Sequence, residues 1–159
     1  MQIVGGFGVP HTPHFPAMVE QGAPLATELE RLYRELRRRI DALDPDVIVF
    51  FSADHYNLFF VESIPIFSVG VADAATGPSD YPHRQVEVAI DAPLARHVQR
   101  RLVAADFDVG MSQEFALDHP FTVPLGFVRP ALDLPIVPVW ISAFERPIPS
   151  ARRCHALGR

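Results

Sequence analysis

The stretch from Pro24 to Phe51 limits this chain more than any other. Its apolar residues change period partway along. Leu25, Leu29, Leu32, Leu36, Ile40 and Leu43 recur in steps of three and four, which places them on one face of a helix. Asp44-Pro45-Asp46 ends that helix, because proline disfavours helical backbone at the residue before it. Val47-Ile48-Val49-Phe50-Phe51 then reads as a buried strand. Upstream, Gln2 to Phe7 reads as a first strand, with Gly5 and Gly6 allowing close backbone packing. Strand, helix and strand in this order predict a βαβ unit with parallel strands. The expected fold class is therefore α/β, with a mixed or mostly parallel central sheet flanked by helices.

The remainder of the chain fits that class. Phe67, Val69 and Val71 alternate as a third strand. Asp73 to His83 is rich in glycine, proline, serine and aspartate and reads as a loop, while Val86, Val88 and Ile90 alternate again. Asp91 is suited to cap a helix with Pro93 in its first turn, and Leu94, Val98, Leu102 and Ala105 form its buried face. A short strand is expected over Phe107 to Met111, a short helix around Thr122 to Val128 and a strand over Ile136 to Ile141. Pro138 points to an edge or a bulge in that last strand. Ser150 reads as the cap of a final helix with Cys154 and Leu157 on its apolar face. That helix stops within three turns, so the domain is expected to be cut short.

Composition excludes several kinds of function. At 159 residues the chain is the size of one domain with a substantial core. No run approaches the ~20 apolar residues that span a bilayer. The N-terminus lacks the basic start of a signal peptide. A formal charge of −5 disfavours a nucleic-acid partner, and Arg37-Arg38-Arg39 reads as a solvated helix face. Cys154 is the only cysteine, so neither an intrachain disulfide nor a thiolate metal cluster is available, which fits a cytoplasmic protein. All 14 basic residues are arginine, which removes lysine Schiff-base chemistry and a P-loop lysine.

What remains is histidine. Gly8-Val9-Pro10-His11-Thr12-Pro13-His14 follows the first expected strand, and Ser52-Ala53-Asp54-His55-Tyr56-Asn57 follows the second. Open α/β sheets place their sites at such strand tips. Neutral imidazoles ligate divalent iron, zinc, copper or nickel, and two of them plus a carboxylate make the facial triad of non-haem iron oxygenases. His11 and His55 are the candidate metal ligands; the alternative for each is a hydrogen-bonded loop histidine. Asp54 is placed either beside a ligand, orienting it, or in a strand-end turn. Tyr56 is a candidate for the substrate pocket or for packing. His14 is expected to line the pocket or to serve structure. Asp118-His119 offers an acid–base histidine or a helix-start cap. His83, His97 and His155 are assigned to surface or loop positions.

Three motifs together carry a resemblance. Gly-Val-Pro-His-Thr-Pro (8–13), Ser-Ala-Asp-His-Tyr-Asn-Leu-Phe-Phe (52–60) and Ala-Leu-Asp-His-Pro-Phe-Thr-Val-Pro-Leu (116–125) resemble the class III extradiol ring-cleavage dioxygenases. That superfamily includes the protocatechuate 4,5-dioxygenase β subunit and 2,3-dihydroxyphenylpropionate 1,2-dioxygenase. Residues 66–71 and 134–139 also fit its pattern, so the likeness runs through the whole chain in order. It implies that His11 and His55 ligate Fe(II) and that His119 takes part in acid–base chemistry or substrate binding. The family usually has glycine after that last histidine, where this chain has Pro120.

The resemblance also implies missing parts. Family members are longer, with a second acid–base histidine and a glutamate that completes the iron triad. Glu62, Glu114 and Glu145 occupy no matching motif. Residues 1–159 therefore read as a single, incomplete catalytic domain, the N-terminal part of such an enzyme. The expected reaction is cleavage of a catechol-type aromatic ring with O2, with association to a like or second subunit. The context of His55 is nearest the dihydroxyphenylpropionate-type branch. The alternatives are a metal-dependent hydrolase with a similar site, and an inactive metal-binding fragment.

Overall fold

A computed structural model describes residues 2–80 and 84–159. The sequence-predicted strand at Gln2 to Phe7 does not form. Residues 2–10 have no ladder partner, and Ile3, Val4 and Phe7 stand 81%, 46% and 47% exposed. The expected βαβ crossover is therefore absent. The segment is held at its far end instead. The Tyr33 hydroxyl donates to the Pro10 carbonyl, and Val9 packs against the cluster of Tyr33, Ile40 and Val128. Gly5 does allow a close approach, since a Cβ there would lie 2.7 Å from Leu43 Cδ1.

Helix α1 (Phe15–Glu20) is followed by α2 (Pro24–Leu43), which covers the predicted range and ends with Asp44 in the left-handed region at φ 46°. Of its apolar face, Leu29, Leu36 and Ile40 contribute to the cluster around Tyr33, whereas Leu25 and Leu32 remain exposed. Strand β1 (Ile48–Ser52) delivers the chain to His55. Strands β2 (Phe67–Gly70), β5 (Val109–Ser112) and β6 (Ile136–Ile141) join it in one sheet of order β1-β6-β2-β5. The β1–β6 and β2–β5 pairs are parallel and β2–β6 is antiparallel, so the sheet is mixed.

Pro138 was expected at an edge or bulge, but β6 is an interior strand. The β2–β6 ladder explains how proline is tolerated. Its register runs Phe67↔Ile141, Ser68↔Trp140, Val69↔Val139 and then stops, leaving Pro138 opposite Gly70. The missing N–H falls just past the last rung. A Cβ on Gly70 would lie 2.9 Å from Pro138 Cγ, so glycine makes room for the ring.

The expected loop over Asp73 to His83 is replaced, over its described part, by strand β3 (Ala74–Asp80), which pairs antiparallel with β4 (Arg84–Ala89). His83 lies outside the described residues. Glycine and proline suggest a loop, but this ribbon uses both. Gly77 lies against helix α4 (His119–Val128) and the residues before it, where a Cβ would stand 2.7 Å from Leu117 O and 2.8 Å from Thr122 Cγ2. The Pro78 carbonyl accepts from the Thr122 hydroxyl. Proline's missing N–H costs little in a two-stranded ribbon.

Helix α3 (Ala92–Ala104) is capped as expected, with the Asp91 carboxylate accepting from Leu94 N at 3.0 Å. Helix α5 (Ala151–Leu157) is capped by Ser150, and Leu157 is buried. Two apolar clusters flank the sheet. One joins Phe121, Leu125, Ile136 and Trp140, and the other joins Phe67, Val69, Val139 and Leu157. No helix is long and apolar enough to cross a membrane among the described residues.

Candidate metal centre

Three separate segments bring histidine to one point. His11 follows the Pro10 carbonyl that Tyr33 anchors. His55 lies three residues beyond the end of β1. His119 is the first residue of α4, a helix buried along most of its length. Their ring centroids are 5.6 Å (His11–His55), 5.9 Å (His11–His119) and 4.5 Å (His55–His119) apart. One ligand nitrogen from each lies within 4.8 Å of the others. Phe144 packs on His55 with centroids 4.8 Å apart, shielding one side of that ring.

Asp118 organises this cluster. Its Oδ2 lies 2.7 Å from His55 Nδ1 and accepts from His55 N at 3.1 Å. Its Oδ1 lies 2.7 Å from His119 Nδ1 and accepts from His119 N at 2.7 Å. Burial alone would raise this carboxyl's pKa, but the hydrogen bonds from His119 and His55 prevail and hold it at about 2. An ionised carboxylate only accepts. Both Nδ1 atoms are therefore the donors, which leaves Nε2 of each ring as the nitrogen that could face a metal ion. For His11, burial and the neighbouring His55 and His119 lower the pKa against a smaller opposing pull from Asp118. For His11, burial and crowding thus favour the neutral imidazole that a metal ion requires.

The other predicted residues fall as follows. Asp54 does not contact His55; its carboxylate accepts from Asn57 N at 3.1 Å, Leu58 N at 3.0 Å and Phe59 N at 3.0 Å. It closes the turn in which Tyr56 adopts φ 58°. Asp54 and Tyr56 both line a small cleft with Trp140 and Phe144, and the Tyr56 hydroxyl donates to Glu145. His14 is exposed at the N-terminal boundary of α1, outside the cluster. The Asp118-His119 pair was open between capping and chemistry, and its carboxylate does cap α4. Its reach to His55, 63 residues away, had no local signal. Phe144 and Tyr33 were also missed, since each acts through a contact distant in sequence.

An α/β domain with histidines at a strand tip and a helix start defines a class open to metal chemistry. A family model described as the catalytic LigB subunit of aromatic ring-opening dioxygenase matches residues 5–159. The chain belongs to that family of extradiol dioxygenases. It is 32% identical over 149 residues to a 2,3-dihydroxyphenylpropionate/2,3-dihydroxicinnamic acid 1,2-dioxygenase of Klebsiella pneumoniae, and 34% to one of Burkholderia vietnamiensis. Each match covers 93% of this chain and 46% of the relative. A Dechloromonas aromatica relative of the same description is 30% identical over 151 residues. The chain spans about half the length of the curated relatives it matches.

Proposed function

We propose that this chain carries the metal-binding and proton-transfer half of a non-haem Fe(II) extradiol dioxygenase that opens a catechol-type ring with O2. The convergence of His11, His55 and His119 on one point carries the reading. Family membership supports it, and so does the name shared by the relatives. The donor chemistry fits: neutral imidazoles suit ferrous iron, and Asp118 presents His55 through Nε2.

In this reading His11 and His55 hold the iron. A ferrous ion there supplies a Lewis acid for the two catechol oxygens and an electron path to O2. His119 takes the phenolic proton at Nε2, while its Nδ1–H, held by Asp118, stabilises the resulting imidazolium. Phe144 keeps water from one side of His55, and Asp54 and Tyr56 shape the neighbouring cleft where the ring's substituent is placed. The family's glutamate has no counterpart in the cluster among the described residues.

The test is oxygen uptake by the Fe(II)-loaded chain with a panel of catechols, alongside His55→Ala. Uptake with a ring-opened chromophore, absent in the variant together with bound iron, is the expected result. Stoichiometric Fe(II) retained by the variant would sink the ligand assignment. A carboxylate-free histidine set is also that of some zinc enzymes, which favours a zinc hydrolase as the second reading. Turnover of an ester with Zn(II) and no oxygen consumption with Fe(II) would decide for it.

A further inference from the structure

His11 stands at the end of an arm, residues 2–10, that joins no sheet among the described residues. We infer that Tyr33, a buried side chain outside the cluster, is the positioning residue that holds His11 at a fixed place relative to α4, and so relative to His119 and His55. The inference rests on the proposed function, in which His11 is a metal ligand, and extends it to the residue that keeps the ligand in place.

Three observations carry it. First, the bond from the Tyr33 hydroxyl to the Pro10 carbonyl is the one hydrogen bond of residues 2–10 among the described residues. Past His11, the Thr12 carbonyl accepts from Phe15 N at 3.2 Å, a turn that belongs to the entry of α1. Val9 adds apolar packing against Tyr33. Such packing has no direction of its own, whereas a hydrogen bond has one.

Second, the accepting oxygen is well placed to direct His11. The Pro10–His11 peptide is a rigid plane that runs from the Pro10 Cα, through its carbonyl, to the Cα of His11. The proline ring fixes φ on the near side of that plane. Pinning the carbonyl oxygen therefore sets the point from which the His11 side chain begins.

Third, Tyr33 is itself held by the helix that carries His119. Its ring stacks on Phe127 of α4, with centroids 4.8 Å apart and planes at 22°. The Phe127 carbonyl accepts from Arg37 Nε at 3.2 Å and Nη2 at 2.6 Å. Asp41 pairs with Arg129, at the C-terminal boundary of α4, at 2.5 Å. Tyr33, Arg37 and Asp41 lie four residues apart and share one stripe of α2. That stripe grips the far end of α4, and His119 opens the near end. Burial pushes the Tyr33 phenol up to about 12, so the hydroxyl keeps the proton that it donates. The side chain is thus a strut, with its ring on α4 and its oxygen on the arm.

The test is Tyr33→Phe in the 159-residue chain, which removes the donor and keeps a ring against Phe127. Nuclear Overhauser contacts from the His11 ring to those of His55 and His119 are read on the metal-free chain, where the centroids stand 5.6 Å and 5.9 Å apart. The expected result is loss of both His11 contacts, with the His55–His119 contact and the circular dichroism unchanged. Affinity for Co(II), measured by calorimetry, is expected to fall about tenfold, the scale of one net hydrogen bond. In a His11→Ala background the same change is expected to leave Co(II) affinity unaltered, because the strut has no ligand left to place. An equal loss of affinity with and without His11 would show a merely structural tyrosine and overturn the inference. Native Overhauser contacts in Tyr33→Phe, or their absence from the native chain, would overturn it as well. A native chain that takes no Co(II) would overturn the proposed metal site, and the Overhauser contacts alone would then support or overturn Tyr33 as the residue that places His11.

Discussion

Asp118 accepts from two side-chain N–H groups and two backbone N–H groups, so replacing one of its oxygens matters twice. Asp118→Asn puts an NH2 group against donors on one side. Leaving a buried hydrogen-bonding group unmatched costs about 1–3 kcal/mol. A metal-free thermal melt should show that loss, and His55 or His119 should show an altered tautomer by nitrogen NMR. Tyr33 is the other residue with a measurable signature. It is 3% exposed, and burial pushes its phenol up from 10.0 to about 12. The unfolded chain ionises Tyr33 near pH 10, while the folded chain resists until about pH 12. The stability it contributes is thus full below pH 10 and lost as pH rises from there to about 12. Tyr33→Phe should flatten that alkaline limb in melts between pH 9 and 12. At neutral pH the variant should lose about 1–2 kcal/mol, because the Pro10 carbonyl loses its donor. The structure brings His11, His55 and His119 from the histidine motifs together, although the strand expected ahead of His11 does not form. Asp118's second hydrogen-bond partner was not legible, because nothing local in a sequence records where a side chain reaches across the fold.

Among the elements, glycine sorts the buried contacts from the open ones. At Gly77 an added Cβ would meet Leu117 O at 2.7 Å, and backbone cannot step aside as a side chain can. Gly77→Ala should cost more than about 2 kcal/mol by urea titration, in the range of overpacked core sites. Gly126, within α4, has nothing within 4 Å of its would-be Cβ and no positive φ. Gly126→Ala should add about 0.5–1 kcal/mol, the gain expected for alanine over glycine in a helix. A loss on that substitution would show that α4 is held differently. Period and caps made α2, α3 and α5 readable, and their boundaries follow from Pro24, Asp91 and Ser150. The two elements misread at the level of the sheet share one cause. Gln2 to Phe7 has a strand's composition but no neighbour, whereas Ala74–Asp80 has a loop's composition and gains β4 as a neighbour. Strand formation depends on a partner, and partners are set by the tertiary fold.

At the scale of the molecule, apolar clusters cover both faces of the sheet, and β1 lies at one edge. Among the described residues strand β1 pairs only with β6, and its Val49 and Phe51 are 36% and 48% exposed. Apolar surface of this kind binds hydrophobic dyes. Phe51→Ser should lower the fluorescence of bound anilinonaphthalene sulfonate without shifting the midpoint of thermal unfolding by more than a few degrees. An unchanged dye signal would mean that the dye sits elsewhere, such as the groove between α1 and α4 lined by Val19, Val123 and Phe127. The strand order has a further consequence. Ile48 pairs with Ile136, and β2 with β6, so the strand between β1 and β2 is made after both of them. On the ribosome β1 leaves the exit tunnel with no neighbour to receive it, and His11 and His55 emerge long before Asp118. Long-range pairing of this kind slows folding and leaves apolar strands uncovered meanwhile. His55 therefore waits for its brace until Asp118, 63 residues further along the chain, has been made and docked.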